Sequence, residues 1–327
     1  MDKKTRVLNA MDCKPVDRVP VSFYTHFFSE EDAKDNGVAG HLKWMQDCNM
    51  DFLCVETDGY MEFPLNTSGK RLEDWRNLKP LPRSSAYFTG QVDRAKRIVE
   101  KAGDACIFYM LFAPFTTIKH TIGGEDLIMR YYREAPEVLN DAMKVIEDAT
   151  FVLADMLKEQ TGITGFFLAL QNAEEGRFTE QEYRSCLRDW DLRLLQYLNE
   201  LSDYNITHMC SWTGIPNQLE LWRDYPYKTV NWSVNIERGM NMAQARSYFK
   251  KGTALMGGFD NTASGILYRG SREEIMEFTK RQLDLAGQVG TLLCADCSVQ
   301  PDQSPERVRY VIEACEEYAQ THPSEQL

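Results

Sequence analysis

Short apolar runs alternate with longer amphipathic stretches along most of the chain. Eight of the runs are continuous and apolar, which is typical of strands buried on both faces of a sheet. They are residues 18–23, 51–56, 105–109, 165–170, 205–210, 228–232, 254–259 and 291–294. Segments with helical spacing of apolar positions lie between them, the clearest being 91–102, 137–158, 180–201, 240–251, 272–287 and 305–319.

Eight strands that alternate with helices predict a parallel (β/α)8 TIM barrel of the α/β class. We expect one domain over residues 1–327, with an N-terminal helical extension. An open, doubly wound sheet is the alternative architecture. In a barrel of this kind the catalytic groups lie at the C-terminal ends of the strands.

Composition narrows the class of protein without identifying it. The chain carries 49 acidic and 37 basic residues, a formal net charge of -12, which argues against nucleic-acid and anionic-membrane partners. No uninterrupted apolar stretch reaches the 18 or so residues of a membrane span, and we find no signal-peptide pattern. Nine cysteines in a long chain indicate a reducing compartment rather than a disulfide scaffold, so we expect a cytoplasmic protein.

Polar and metal-binding residue types follow seven of the eight predicted strands. In strand order they are Tyr24 and His26, Glu56 and Asp58, Gln171 and Asn172, His208 and Cys210, Asn231 and Trp232, Asp260 and Asn261, and Asp296 and Cys297. Any one pair is explained by ordinary loop or capping residues. Their recurrence at nearly every strand end favours a functional site there.

A metal site is predicted where the fifth and eighth strands end. His208 and Cys210 are two residues apart, so on a strand they face the same side. Cys294 and Cys297 end the eighth strand. Imidazole and thiolate together form a zinc-type ligand set, and three protein ligands leave a position open for a reactant.

Each of the two motifs has another explanation when taken alone. Histidine and cysteine at this spacing are often simply buried, and Cys-x-x-Cys is also the pattern of a redox pair. Their meeting at one end of a barrel favours metal binding. Asn205 and Asp296 are candidates either for supporting the ligands or for turns, and the sequence does not separate these roles.

Motifs along nearly the whole chain carry a family resemblance. They are TRVLNA at 5–10, PVDRVP at 15–20, FFLALQN at 166–172, THMC at 207–210, VNW at 230–232, MGGFD at 256–260 and CSVQPD at 297–302. With them the chain resembles the uroporphyrinogen decarboxylase superfamily, in its cobalamin-dependent methyltransferase branch. The resemblance implies a (β/α)8 barrel and zinc held by His208, Cys210 and Cys297. Cys294 has no fixed role in the resemblance and stays an alternative ligand.

The resemblance also implies a reaction and a partner. We expect a zinc-dependent methyltransferase that moves a methyl group between a corrinoid protein, which carries methylcobalamin, and a small thiol or methylated substrate. The direction of transfer stays open. The alternatives are a decarboxylase of the uroporphyrinogen type and a non-catalytic, zinc-stabilised small-molecule-binding barrel.

Further site residues are assigned as expectations. Glu56 and Asp260 are candidates for catalysis, although Glu56 also fits a capping role and Asp260 fits a hydrogen bond in the barrel rim. Candidates for contacts to cofactor or substrate are Tyr24, His26, Gln171 and Asn231.

Two positions depart from the family pattern. The porphyrin-binding branch carries an arginine-containing motif after the first strand, whereas residues 22–28 of this chain contain no arginine. A porphyrinogen with many carboxylates needs cationic partners, so decarboxylation of that substrate is disfavoured. Ser211 stands where the family often has glycine after His-x-Cys, which affects the expected loop geometry but not the ligands.

Overall fold

Seven parallel strands form one sheet in which each strand pairs with the next along the chain. The computed structural model describes residues 1–237 and 239–324. The strands are β1 Phe52–Val55, β2 Cys106–Phe112, β3 Gly165–Leu170, β4 Ile206–Met209, β5 Thr229–Trp232, β6 Ala254–Phe259 and β7 Thr291–Ala295. All seven were predicted from the sequence, and the bounds of β3 and β6 agree to the residue.

The predicted first strand, residues 18–23, is reduced to one parallel bridge between Val21 and Leu293 of β7. Its Ser22 N–H and Pro20 carbonyl pair with the backbone of Leu293, but other backbone groups of the segment bind side chains. The Val21 N–H donates to Asp51 Oδ2 over 2.9 Å, and the Trp44 indole donates to the Phe23 carbonyl over 2.5 Å. Pro20 has no N–H to give. Of the eight predicted strands, seven therefore form and the first is reduced to a bridge. The sheet is curled, but a complete eight-stranded barrel is not confirmed.

Helices separate the strands, as the alternating pattern predicted. Within the described residues they are α1 Lys3–Met11, α2 Glu30–Lys34, α3 Val38–Cys48, α4 Ala86–Val99, α5 Pro114–Ile122, α6 Glu125–Glu134, α7 Pro136–Thr161, α8 Glu180–Cys186, α9 Arg188–Leu201, α10 Met242–Tyr248, α11 Ile266–Arg269, α12 Arg272–Ala286 and α13 Pro305–Thr321. Short 3₁₀ turns lie at Leu72–Trp75 and Leu219–Leu221. In the part of the chain that is described, no helix has the length and apolar character to cross a membrane.

Three of the predicted helices differ clearly in extent. The one predicted over 91–102 is α4, which begins at Ala86 and ends at Val99. The segment predicted as one helix over 180–201 is divided into two helices at Leu187, whose φ of −118° departs from helical geometry. The helix predicted over 240–251 begins later, because the Asn241 side chain caps it by accepting from the Gln244 N–H.

The N-terminal signature motif has a structural role. The Arg6 guanidinium binds Asp17 and Asp51, and Arg18 also binds Asp51, with N–O distances of 2.7 Å. Asp51 lies just before β1, so these ion pairs fasten the chain start beneath the amino ends of the strands. Helix α1 packs against β1, β2 and β7 at that end, which leaves the opposite, carboxyl end of the sheet open.

Candidate metal centre

One cavity of about 610 Å³ opens at the carboxyl ends of the strands. Seven of the nine residues assigned to the site from sequence line it: Tyr24, His26, Glu56, Gln171, His208, Cys210 and Cys297. Asn231 lies directly behind the wall and contacts His208. Asp260 lies outside the lining, and its Oδ1 accepts from the Thr262 N–H over 2.7 Å in the turn after β6.

The three predicted metal ligands converge in this cavity. Ligand atoms of His208, Cys210 and Cys297 all lie within 4.8 Å of one another. His208 is in β4, and Cys210 follows the strand end, where its N–H donates to the Leu170 carbonyl over 3.0 Å. This hydrogen bond continues the register with β3, so the imidazole and the thiol share one face as the two-residue spacing predicted.

The orientation of the His208 ring is fixed from behind. Its Nδ1 lies 2.6 Å from Asn231 Oδ1. The Asn231 amide nitrogen donates to the carbonyls of Met256 and Ala295 over 3.0 and 3.1 Å, so its oxygen is the acceptor and His208 Nδ1 carries the proton. Phe167 stacks on the ring with centroids 5.4 Å apart.

The other imidazole nitrogen has no partner. His208 Nε2 is buried and makes no hydrogen bond within the described structure. A neutral imidazole that donates through one nitrogen and presents the other is the usual state of a histidine that binds a metal.

The two thiols are electrostatically coupled. A hydrogen bond between the sulfurs of Cys210 and Cys297 lowers the pKa of Cys297 well below its ordinary value and raises the pKa of Cys210 well above its own. Contact with His208 also lowers the pKa of Cys297. The pair therefore favours one thiolate, the form in which cysteine binds metals.

Cys294 occupies a different place from Cys297. Its side chain is fully buried inside the curl of the sheet, in a cluster with Cys54 and Met256, and burial raises the pKa of its thiol. It is absent from the group of convergent ligand atoms, which contains Cys297. One nitrogen and two sulfurs in a half-enclosed cavity match zinc in donor type and number, with a position left for a reactant.

A second group of polar side chains lies in the same cavity at the end of β1. His26 Nδ1 is 2.7 Å from Asp58 Oδ1 and 3.8 Å from Glu56 Oε2. Although burial opposes it, the hydrogen bond with Asp58 raises the pKa of His26 to about 9. Burial raises the pKa of Glu56 to about 8.

Gln171 is held by a lysine that the sequence analysis did not consider. Lys119 of α5 is 2% exposed, and its ammonium group contacts Gln171 Oε1 and lies 3.1 Å from Glu125 Oε1. Burial lowers the pKa of Lys119 to about 8. The ammonium also lies 5.4 Å from the ring centroid of Trp212, at the cavity mouth. Nothing in the surrounding residue pattern distinguishes this lysine from a surface one.

Two buried carboxylates shape the loops that follow β4 and β5. Asp296 accepts from the backbone N–H groups of residues 234 and 235 over 2.8 and 3.1 Å, and burial raises its pKa to about 6. Glu237 accepts from the Ser211 hydroxyl over 2.6 Å and from the Asn217 N–H over 3.0 Å. Ser211, the departure from the family pattern, thus fastens its own loop. Glu237 and Asn217 carry no sequence signal that would have found them.

Asn205 has a purely structural position. Its amide nitrogen donates to the carbonyls of Leu198 and Ser202 over 2.9 Å, and its oxygen accepts from the Phe166 N–H over 2.9 Å. These contacts lie at the amino ends of β3 and β4, the end opposite the cavity. Of the two roles left open by the sequence, Asn205 therefore has the turn role, whereas Asp296 supports the site.

The chain belongs to the uroporphyrinogen decarboxylase (URO-D) family, whose sequence pattern matches residues 45–318. Comparison with curated proteins gave no match.

Solved structures share the fold at low sequence identity. A methyltransferase from Methanosarcina mazei is 17% identical with a TM-score of 0.72, covering 97% of this chain and 99% of its own. A B12-independent methionine synthase from a Shewanella species is 16% identical with a TM-score of 0.53, covering 90% of each chain. A β-mannanase from the blue mussel Mytilus edulis is 11% identical with a TM-score of 0.50, covering 94% and 92%. Such different enzymes show that the likeness concerns architecture, so function must be argued from the site.

Proposed function

We propose that the protein is a zinc-dependent methyltransferase that moves a methyl group between a corrinoid protein and a small thiol or methylated substrate. The cavity would take the small molecule, and the corrinoid protein would bind at its open mouth. A reducing compartment, which we take to be the cytoplasm, agrees with nine cysteines of which none forms a disulfide.

One observation carries the proposal. His208 presents a buried nitrogen without a partner, beside two sulfurs, while Asn231 holds the proton on the opposite nitrogen. A buried nitrogen without a hydrogen bond costs about 1–3 kcal/mol, so its retention beside two thiols favours a bound metal. Zinc held there would stabilise the thiolate of a bound thiol, or withdraw electrons from a methylated substrate, near neutral pH.

The chain's own residues have distinct tasks in this reaction. His208, Cys210 and Cys297 would hold the ion, and Asn231 keeps the imidazole in the tautomer that leaves Nε2 free. In the thiol-methylating direction the substrate loses its proton and gains a methyl group as the corrinoid takes up the electron pair of the broken bond. In the opposite direction the same residues would hold the ion and the methylated substrate while the methyl group passes to the corrinoid. The mostly apolar cavity limits the access of water to the reactants.

The lining of the cavity argues against the decarboxylase alternative. Among the described residues that line it there is no lysine and no arginine. A porphyrinogen bearing many carboxylates would meet His26 as its main cationic contact, and that imidazole is already paired with Asp58. Family membership alone is compatible with either chemistry, and this lining favours the methyltransferase.

The proposal is tested by metal analysis of the purified protein beside three cysteine variants. We expect about one zinc per chain in the wild type and a large loss in Cys210→Ala and Cys297→Ala. Cys294→Ala is the matched control, because this buried thiol lies outside the ligand group, and it should retain the metal. Equal loss in all three variants, or no zinc in the wild type, would contradict the proposal.

The reaction itself is tested by following the visible spectrum of methylcobalamin mixed with the zinc-loaded protein and a panel of small thiols. Conversion to the Co(I) spectrum with one of the thiols is expected, as is the reverse conversion with methylated donors. The Cys297→Ala variant should show neither. If metal removal instead unfolds the chain and no conversion occurs with any substrate, a zinc-stabilised binding barrel is the better explanation.

A further inference from the structure

Glu56 is a buried carboxyl group that the protein leaves without a hydrogen bond. Its residue is 1% exposed, yet neither side-chain oxygen has a partner among the described residues. Buried polar groups in folded proteins are nearly always paired, because an unpaired carboxylate loses its hydration without compensation. Glu56 lines the cavity, so a bound molecule can reach it.

Three groups that could donate to the Glu56 carboxylate are engaged elsewhere. The Glu56 backbone N–H donates to His41 Nε2 over 3.0 Å. Arg94 donates to the carbonyls of Glu56 and Asp58 over 2.8 and 2.6 Å rather than to a carboxylate. His26 Nδ1 lies 2.7 Å from Asp58 but 3.8 Å from Glu56, beyond hydrogen-bonding distance. A molecule bound in the cavity, which Glu56 lines, can therefore supply a donor to its free oxygens.

The charges in the cavity define what kind of occupant fits. His26 and Asp58 pair with each other, and two thiolates would compensate a divalent ion at the proposed metal centre. The nearest ion-pair partner of Glu56 is His26 at 3.8 Å, and that imidazole lies closer to Asp58. An ammonium group in the cavity, whose lining contains neither lysine nor arginine, would therefore pair directly with Glu56 and favour its ionised form. Aromatic rings of Phe28, Phe112 and Trp212 also line the space, and such rings tolerate a neighbouring cation.

We propose that Glu56 binds a protonated amine of the small-molecule substrate, so that the substrate class is an amino thiol or a methylated amine that keeps an N–H group. The inference rests on the proposed function, because it places the amine in the same cavity as the reacting thiol or methyl group. Two unpartnered oxygens call for N–H donors, which disfavours quaternary ammonium groups. Substrates that carry a second negative charge are repelled by the same carboxylate.

The test uses three thiols of matched length that differ only in their terminal group: cysteamine, 2-mercaptoethanol and 3-mercaptopropionate. Their dissociation constants are measured by titration calorimetry on the zinc-loaded protein. Cysteamine should bind roughly tenfold to a hundredfold more tightly than 2-mercaptoethanol, as expected for a charge-assisted hydrogen bond in a buried site, and 3-mercaptopropionate should bind most weakly.

Glu56→Gln should remove most of the preference for cysteamine while leaving 2-mercaptoethanol binding within a few-fold. Glu147→Gln is the matched control, because this carboxylate pairs with Arg193 on the outer helices and should keep the wild-type order. Circular dichroism establishes that each variant is folded. If Glu56→Gln does not fold, the order of the three thiols on the wild type still decides the question.

Several outcomes would overturn the amine site. Equal binding of the three thiols, or unchanged discrimination in Glu56→Gln, would do so. Uniformly slower turnover with all thiols at unchanged relative affinities would make Glu56 an acid–base group instead. A second zinc ion that is lost only in Glu56→Gln would show that His26, Glu56 and Asp58 bind metal.

Titration of ethylamine into zinc-free protein separates the two proposals. Glu56-dependent binding of ethylamine would support the amine site even if no thiol binds and the methyltransferase proposal fails. Thiol binding without any preference for an amine would leave the methyltransferase proposal standing and refute this inference.

Discussion

Replacing Asn231 by leucine tests whether the support behind the metal centre matters as much as its ligands. Asn231 is fully buried, and its oxygen lies 2.6 Å from His208 Nδ1. Leucine is similar in size but can neither accept the Nδ1 proton nor donate to the carbonyls of Met256 and Ala295. The His208 ring would then be free to exchange tautomers and to rotate away from the two sulfurs.

The expected effect on zinc is large. Loss of a hydrogen bond behind a metal-binding histidine typically reduces metal affinity by about tenfold to a hundredfold, which corresponds to about 1.4–2.8 kcal/mol. The free energy of unfolding of the metal-free protein should fall by about 1–3 kcal/mol, because two buried carbonyls each lose a donor.

Asn205→Leu is the control that separates these two effects. Asn205 is also buried and hydrogen-bonded through both side-chain atoms, but at the amino end of β4. It should lower stability by a similar amount and leave zinc affinity unchanged. Zinc affinity is measured by competition with a chromophoric chelator, and stability by urea unfolding of the metal-free protein. If Asn231→Leu binds zinc as tightly as the wild type, the proposed role of the Asn231–His208 contact is wrong.

Two further predictions concern stability away from the metal centre. Burial raises the pKa of Asp191 to about 7 against the hydrogen bond from Tyr183, so the folded protein holds this proton more tightly than the unfolded chain. The stabilisation that this bound proton gives is complete below about pH 4 and is lost as the pH rises to 7, by up to about 1.4 kcal/mol per pH unit. In Asp191→Asn this decline in the free energy of unfolding should be absent, which urea unfolding at several pH values measures. In Gly165→Ala the new Cβ would lie 1.6 Å from the Tyr204 carbonyl oxygen, whereas Gly124→Ala meets nothing within 4 Å. Unfolding should show a loss of about 1–3 kcal/mol or more for the first and little change for the second.

The strands were predictable because they are buried on both faces and therefore appear as continuous apolar runs. All seven strands of the sheet were found in this way. The run at 18–23 has the same apolar pattern but forms only a bridge, because the Val21 N–H and the Phe23 carbonyl bind side chains of Asp51 and Trp44, which lie far from it in sequence. Apolar pattern predicts burial, and it does not reveal where a backbone N–H finds its acceptor.

The convergence of the three proposed metal ligands was predictable for a related reason. His208 and Cys210 are separated by the strand repeat, and Cys297 follows a strand, so topology alone brings the three together. The residue that orients the His208 ring from behind was only partly predicted. Asn231 was assigned to cofactor or substrate contacts, whereas the structure places its oxygen on His208. At a strand end the sequence shows that a side chain faces the site but not whether it reaches the ligand or the substrate.

The properties that decide the substrate are the ones least visible in sequence. Glu56 and Asp58 are two residues apart at the same strand end, and by spacing alone they are equivalent. The structure separates them, because Asp58 meets His26 and a backbone N–H, whereas Glu56 meets no donor. This difference arises from Arg94 and His41, on two different helices, which direct their polar groups to the backbone around Glu56 and so leave its carboxylate free for a ligand. An unpartnered group is defined by everything that packs around it, so only a three-dimensional accounting of donors and acceptors can find it.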